Sequence, residues 1–275
     1  MKDILQEIIA YKRIEVERHK QAVSLQTLLA LGGERINRPT VSMRESLAQS
    51  SSGIIAEFKR RSPSKGWLHR GAKVADVVPT YEAAGAAACS MLTDSPYFGG
   101  SLGDLKQARE RVHLPLLRKD FVVDSYQLFQ ARVMGADAVL LIAAALNRHE
   151  CRALAATAHS LQLEVLLEVH REEELEYVNE DIDMLGVNNR NLGTFHTDVE
   201  NSFRLIEAMK QVPYHPLLVS ESGISNPATV AKLRETGFQG FLIGETFMKT
   251  AQPGETLSSF IAAVRSFVSS QSTEV

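Results

Sequence analysis

From residue 53 onward, short apolar runs alternate with longer stretches in which apolar positions recur three and four apart. The first pattern reads as strands and the second as amphipathic helices. The runs are Ile54–Lys59, Ala87–Thr93, Leu114–Lys119, Ala138–Ala143, Leu163–Glu168, Met184–Asn188, Leu217–Ser220 and Gly240–Ile243. The helical stretches follow them in turn, at Val74–Ala84, Leu102–Arg111, Ser125–Met134, Arg148–Ser160, Arg171–Val178, Val199–Gln211, Pro227–Thr236 and Thr256–Val268. Strands this apolar are buried on both faces, which predicts a parallel α/β sheet covered by helices. Eight βα units in about 220 residues suit a closed (β/α)8 TIM barrel, with an open doubly wound sheet as the alternative that periodicity leaves open.

Residues 1–53 follow a different pattern. Ile4, Leu5, Ile8, Ile9 and Tyr11 share helical spacing, and Lys, Arg and Glu fill the other face through Lys20. A second helix is expected over Ser24–Leu31, closed by Gly32-Gly33. Ser50-Ser51-Ser52-Gly53 reads as a short linker. This helical extension, 1–53, is expected to pack on the barrel, 54–275, or to cover one of its ends, the whole forming a single domain.

Composition narrows the class. The chain has 275 residues, 44% hydrophobic and 23% charged, with a formal net charge of −3. These values are ordinary for a globular protein and give no electrostatic footprint for nucleic acid. Two cysteines, Cys89 and Cys151, argue against a disulfide scaffold and for a reducing compartment. The longest apolar run, near Ala136–Leu146, is interrupted by Asp137 and is too short to span a bilayer. The chain opens Met-Lys-Asp without an apolar signal segment, so a cytoplasmic location with no membrane contact is expected.

The chemistry gathers at the strand ends. Side chains alternate along a strand, so Ile55, Glu57 and Lys59 share the face turned into the barrel, while Ala56 and Phe58 face the helices. Later runs end in Lys119, Glu168, Asn188 followed by Arg190, Ser220-Glu221-Ser222-Gly223, and Gly244-Glu245. Barrel active sites form at this C-terminal face. One inward pair of charges could merely neutralise itself. Polar groups at so many strand ends together point to a site. Gly223 and Gly244, after the seventh and eighth strands, stand where barrels often cradle a phosphate on backbone N–H groups.

Other signals lead nowhere. Gly99-Gly100-Ser101-Leu102-Gly103 matches a nucleophile elbow in letters, but no strand runs into the serine. Ser62-Pro63-Ser64-Lys65-Gly66 is not a P-loop, and no dinucleotide fingerprint occurs. The eight histidines lack metal-ligand spacing, so no metal and no cofactor are expected.

Ile54-Ile55-Ala56-Glu57-Phe58-Lys59-Arg60-Arg61-Ser62-Pro63-Ser64-Lys65-Gly66 closely resembles the signature of the indole-3-glycerol phosphate synthase family. Leu92-Thr93-Asp94 with Tyr97-Phe98-Gly99-Gly100-Ser101, Leu117-Arg118-Lys119-Asp120-Phe121, and Gly186-Val187-Asn188-Asn189-Arg190-Asn191-Leu192 resemble its second, third and sixth strand ends. Ser220-Glu221-Ser222-Gly223-Ile224 and Leu242-Ile243-Gly244-Glu245 resemble its phosphate-side loops, and the N-terminal helices its extension before the barrel.

The resemblance implies a carboxy-lyase that closes, decarboxylates and dehydrates 1-(2-carboxyphenylamino)-1-deoxyribulose 5-phosphate. It implies Lys119 as general acid, Glu168 as general base, and Glu57 with Lys59 as the pair that positions substrate and tunes the other charges. Asn188 and Ser222 resemble supporting polar contacts in that catalytic set. Ser62, Phe121, Arg190, Leu192, Glu221, Gly223, Gly244 and Glu245 resemble the substrate and phosphate contacts. An acidic side chain at Glu245 would repel a phosphate unless it turned away, so contact there is expected from the backbone. The partner implied is a small phosphosugar, bound by a monomer or weak homo-oligomer. Two readings compete. A phosphoribosylanthranilate isomerase would carry cysteine at the first strand end, where this chain has Glu57 and Lys59. A non-catalytic phosphosugar-binding barrel would typically lose an acid or a base, yet Lys119 and Glu168 are both present.

Overall fold

An apolar strand buried on both faces must find a neighbour on each edge, and here the last finds the first. The computed structural model describes residues 4–191 and 196–271. Eight strands pair in parallel: β1 (Ile54–Phe58), β2 (Ala88–Leu92), β3 (Leu116–Lys119), β4 (Ala138–Ile142), β5 (Glu164–Val169), β6 (Met184–Asn188), β7 (Leu217–Glu221) and β8 (Gly240–Ile243). β1 bonds to both β2 and β8, so the sheet is a closed barrel, and the open-sheet alternative falls. Register confirms the alternation read from sequence. Glu57 pairs with Ser90, Leu92 with Lys119, Ile142 with Glu168, Glu168 with Gly186, and Asn188 with Glu221. Paired residues in parallel strands share a face, so this set lies inside the barrel.

Seven of the eight connecting helices form as α-helices: α4 (Val74–Ala83), α5 (Leu102–Arg109), α6 (Ser125–Met134), α7 (Arg148–Ser160), α8 (Glu200–Met209), α9 (Pro227–Thr236) and α10 (Pro253–Gln271). The helix expected over Arg171–Val178 is instead a 3-10 helix, Glu172–Tyr177. Arg171 makes no side-chain cap, three of the six residues are acids in the first turn, and only Glu174 is buried. Six residues with one anchor are too few to carry an α-helical nucleus. β1 ends one residue earlier than expected, at Phe58, because the chain turns at once into a small antiparallel hairpin, Arg61–Ser62 against Gly66–Trp67.

The N-terminal segment wraps the barrel from mouth to base. α1 (Ile4–Ala22) lies across the C-terminal mouth, α2 (Leu25–Gly32) packs on α6, and α3 (Met43–Gln49) closes the opposite end. Periodicity did not reveal α3. Its Met43 and Leu47 are fully buried, and Leu47 lies against Gly240 at the start of β8. The backbone N–H groups of Met43 and Arg44 donate to Glu164, the first residue of β5, at 2.7 and 2.9 Å. Asp137, the charge that interrupts the longest apolar run, is completely buried. It accepts from Arg38, Val41 N–H, Arg109 and Leu116 N–H, so every lone-pair direction is used.

One buried lysine fixes α1 on the mouth. Lys12 is 2% exposed, and its Nζ is 3.0 Å from both Asp94, after β2, and Asp120, after β3. Burial opposes the charge on Lys12, but Asp120, Asp94 and Glu15 outweigh it and the ammonium is held more firmly than in water. Arg118 neutralises Asp120 from the far side at 2.9 Å. Asp94 depends on Lys12. Removing one partner of a buried pair costs about 3–5 kcal/mol. Lys12→Met is therefore expected to lower the urea midpoint by roughly that amount of stability, and adding Asp94→Asn to restore much of it. A Lys12→Met variant as stable as the parent would show that the pair carries no net weight.

Candidate active site

The strand ends with polar side chains surround one cavity of about 370 Å³ at the C-terminal mouth. This lies within the size range of small-molecule sites. Its floor is charged and its walls are apolar. Leu140 and Ile142 line it from β4, and Phe98 and Phe121, with ring centroids 6.1 Å apart, from the loops after β2 and β3. Ile4, Leu5 and Ile8 of α1 complete the wall. The N-terminal extension is thus part of the site.

Five ionisable side chains meet inside. Lys119, at the end of β3, places its Nζ 3.1 Å from Glu168 Oε2 and 3.2 Å from Glu221 Oε2. Lys59 folds back from just beyond β1 to pair with Glu57. Two glycines make room for the acids. A Cβ on Gly186 would overlap Glu221 Oε1, and one on Gly244 would overlap Glu57 Oε1. Gly186 faces inward on β6, where most barrels carry a filling side chain, and Gly244 follows directly on β8.

The charges do not balance, and their protonation reflects it. Two lysines face three carboxylates, leaving one negative charge in excess where charge is expensive. Burial opposes the charge on Lys119, but Glu221, Glu168 and Glu57 together overcome it, so its proton is held tightly. Burial likewise opposes ionisation of Glu168, and Lys119, His170 and a hydrogen bond with Asn188 reverse it, leaving that carboxyl below its usual range. Glu221 takes up the surplus. Burial and the neighbouring Glu168 outweigh Lys119 and push it up to about 7. The pair of carboxyls on Lys119 is thereby split, one ionised and one able to carry a proton near neutrality, which is the separation that acid–base work requires.

The remaining expected residues divide by place. Asn188, Arg190, Ser222, Gly223, Gly244 and Glu245 line the cavity with Phe121. Ser222 has a left-handed φ of 67° and Gly223 one of 77°, so the chain turns sharply after β7. Asn189 holds that turn by donating to Ser222 O at 3.1 Å, and its Oδ1 accepts from the Ser202 hydroxyl on α8. A left-handed non-glycine residue is strained, and such strain collects at functional sites. Arg190 donates to Ser64 at 3.0 Å and to Thr197 at 3.2 Å, and stands 3.6 Å from Glu245. The Glu245 carboxylate is therefore turned to an arginine.

Two expected contacts do not line the cavity. Glu221 stands behind Lys119. Ser62 is buried and its hydroxyl accepts from Lys65 N–H at 3.2 Å, shaping the turn that presents Pro63 and Lys65 to the cavity. Leu192 lies outside the described residues. Sequence reasoning missed Ser64, Lys65, Lys249 and the α1 wall, which carry no strand-end signal. It also missed His170, which stands two residues beyond Glu168 on the same alternating face. Among the described residues no group of three or more His, Cys, Asp or Glu side chains is placed to hold a metal ion. No described helix is long and apolar enough to cross a membrane.

A sequence model of the family described as indole-3-glycerol phosphate synthase matches residues 5–260. A protein of that name from Bacteroides thetaiotaomicron is 60% identical over 267 residues, covering 96% of this chain and all of its own length. Another of that name, from Neisseria gonorrhoeae, is 46% identical over 257 residues, covering 92% of this chain and 97% of its own. Among solved structures, the tryptophan synthase alpha subunit from Legionella pneumophila superposes with a TM-score of 0.59 over 86% of this chain and 98% of its own. At 14% identity it shares the fold alone.

Glu221 gives the site a measurable pH signature. In the unfolded chain a glutamate ionises near 4.5, and here burial moves Glu221 to about 7. The stability associated with its protonated form is complete below the first value and lost as pH rises through the second. Glu221→Gln keeps the shape and removes the titration. The fall in unfolding free energy between pH 5 and pH 8 is expected to be smaller in Glu221→Gln by on the order of 2 kcal/mol. Urea denaturation at the two pH values measures it, and equal falls in parent and variant would count against an elevated Glu221.

Proposed function

This chain belongs to the indole-3-glycerol phosphate synthase family, and on that premise we propose how its own residues carry out the family's reaction. The enzyme is a carboxy-lyase of tryptophan biosynthesis that forms indole-3-glycerol phosphate. Its substrate is a phosphosugar-type small molecule, in full 1-(2-carboxyphenylamino)-1-deoxyribulose 5-phosphate. One observation supports the assignment of roles above the others: a buried ammonium, Lys119, held between an ionised carboxylate and a second carboxyl that titrates near neutrality.

The chemistry has three parts. In ring closure the carboxyl-bearing aromatic carbon attacks the ketone, a carbon–carbon bond forms, and the ketone oxygen becomes negative. Lys119 donates the proton that this oxygen takes up. Closure leaves an iminium in the new ring, and the electrons of the carboxylate's carbon–carbon bond flow into it as carbon dioxide departs. The ring itself is the electron sink. Dehydration then expels the hydroxyl as water and removes the remaining proton from the adjacent carbon. Glu168 accepts that proton, and Lys59 or Lys119 protonates the leaving hydroxyl. The inward aim of Lys119 and Glu168 from adjoining regions of one cavity supports this division of labour.

Substrate binding follows the charge and the walls. The anthranilate ring suits the apolar wall of Phe98, Phe121, Leu140 and Ile142. The phosphate suits the loops after β7 and β8, where Ser222, Gly223, Gly244 and the backbone of Glu245 border the cavity, with Lys249 close by. Arg190 and Lys65 supply positive charge at the rim. Two anionic substrate groups favour the protonated state of Glu221, since an ionised Glu221 would add to the negative excess.

Purified protein mixed with the substrate, with no metal or cofactor added, is expected to produce indole fluorescence and one carbon dioxide per product. Lys119→Ala and Glu168→Gln should each lower kcat by about 10²–10⁴-fold, the usual weight of general acid–base groups, while substrate affinity changes far less. An unchanged kcat in either variant would sink its assignment.

A further inference from the structure

His170 stands just past β5, on the face that Glu168 shares, yet it does not border the cavity. Its side chain is 15% exposed and stands behind the Glu168 carboxylate. Nε2 is 3.4 Å from Glu168 Oε1, and Nδ1 is 3.7 Å from Glu174 Oε2. Neither ring nitrogen makes a full hydrogen bond among the described residues. The ring is placed by its backbone instead: the His170 N–H donates to Glu174 Oε2 at 2.7 Å, and its carbonyl accepts from Asn201 on α8 at 3.2 Å. Arg171 donates to the other oxygen of Glu174 at 2.9 Å and holds that carboxylate in place.

A neutral imidazole here would be a buried polar ring with both nitrogens poorly satisfied, which is costly. An imidazolium between two carboxylates is favoured. The two oxygens of Glu168 are also treated differently. Lys119 takes Oε2, and His170 is the cation that faces Oε1. We propose that His170 is a positioning residue for Glu168, a buried imidazolium that orients the carboxylate from behind and keeps it ionised in a site with surplus negative charge. This rests on the reading of Glu168 as general base and adds to it the group that sets its charge.

The charged neighbours fix the direction of the effect. Glu168 faces Lys119 from β3, Glu221 from β7 and His170. His170 faces Glu168, Glu174 and, further off, Glu221, while the contact from α8 is the neutral Asn201. Burial opposes the charge on His170, but Glu174 and Glu168 outweigh it and raise its pKa. Removing the imidazolium therefore lets Glu168 keep its proton to higher pH, and the acid side of the rate profile retreats.

The test is the pH profile of kcat in the parent and in His170→Asn, together with an NMR titration of the His170 ring. The acid limb of kcat is expected to move up by about one pH unit in His170→Asn, a tenfold loss at a pH below the parent's limb. The ring is expected to titrate above free histidine in the parent and lower in Glu174→Gln. A uniform fall in kcat with the limb unmoved assigns His170 to packing and overturns the proposal. So does a parent ring that titrates below free histidine, a measurement that needs no variant to fold. Glu168→Gln separates the two readings. If it still turns over substrate, Glu168 is not the base. If the His170 ring nonetheless titrates lower in that variant, the His170–Glu168 pair stands by itself.

Discussion

The mouth of this barrel is arranged around keeping Lys119 charged where water barely reaches. An ammonium in such a place loses its hydration and must be repaid in oxygen contacts. Glu168 and Glu221 supply them from β5 and β7, across the barrel from β3. The rest follows from that demand. Two acids need space, so Gly186 gives up its side chain to Glu221, as Gly244 does to Glu57. Two acids with Glu57 exceed the lysines in charge, so one carboxyl titrates near neutrality and another draws on a histidine behind it. The acid–base asymmetry of the site is what remains after a charge surplus has been distributed among unequal neighbours.

Much of this was legible in the sequence, and the reason is geometric. In a closed barrel every second strand residue must point inward, so Glu57, Lys119, Glu168 and Asn188 could be assigned to one space from spacing alone. Eight apolar runs favoured closure but left an open sheet possible, and only the pairing of β1 with β8 decides between them. Family resemblance named the same residues from their motifs and added Arg190, Glu221 and the glycine loops.

What escaped the sequence has physical causes of a different kind. α3 is short, and only Met43 and Leu47 mark its buried face, so its period is too weak to register. The stretch after β5 carries the alternation of a helix in Leu175 and Val178 but lacks the cap and the length to become one. Lys12 sits in a helix whose polar face looks solvated. Its two partners lie far along the chain after β2 and β3, and no local pattern announces a contact of that separation. His170 is a residue type that more often sits on surfaces or fills cores, and only the packed geometry shows two carboxylates around it. Local periodicity reports which face is buried, but it does not report which distant charge is waiting there.

The docking of α1 has a consequence for how the molecule comes into being. α1, which precedes every strand of the barrel, supplies Ile4, Leu5 and Ile8 to a cavity whose other walls include residues of seven later strands. Its anchor, Lys12, has only Glu15 of its own helix to pair with until the loops at Asp94 and Asp120 have both formed. On the ribosome, then, α1 waits for the segments that follow it. Bringing together contacts so distant in sequence is slow and favours prior assembly of the sheet. A nascent or truncated barrel could close its strands and still lack a finished pocket. Substrate would therefore be handled only by molecules in which α1 has returned to meet the barrel.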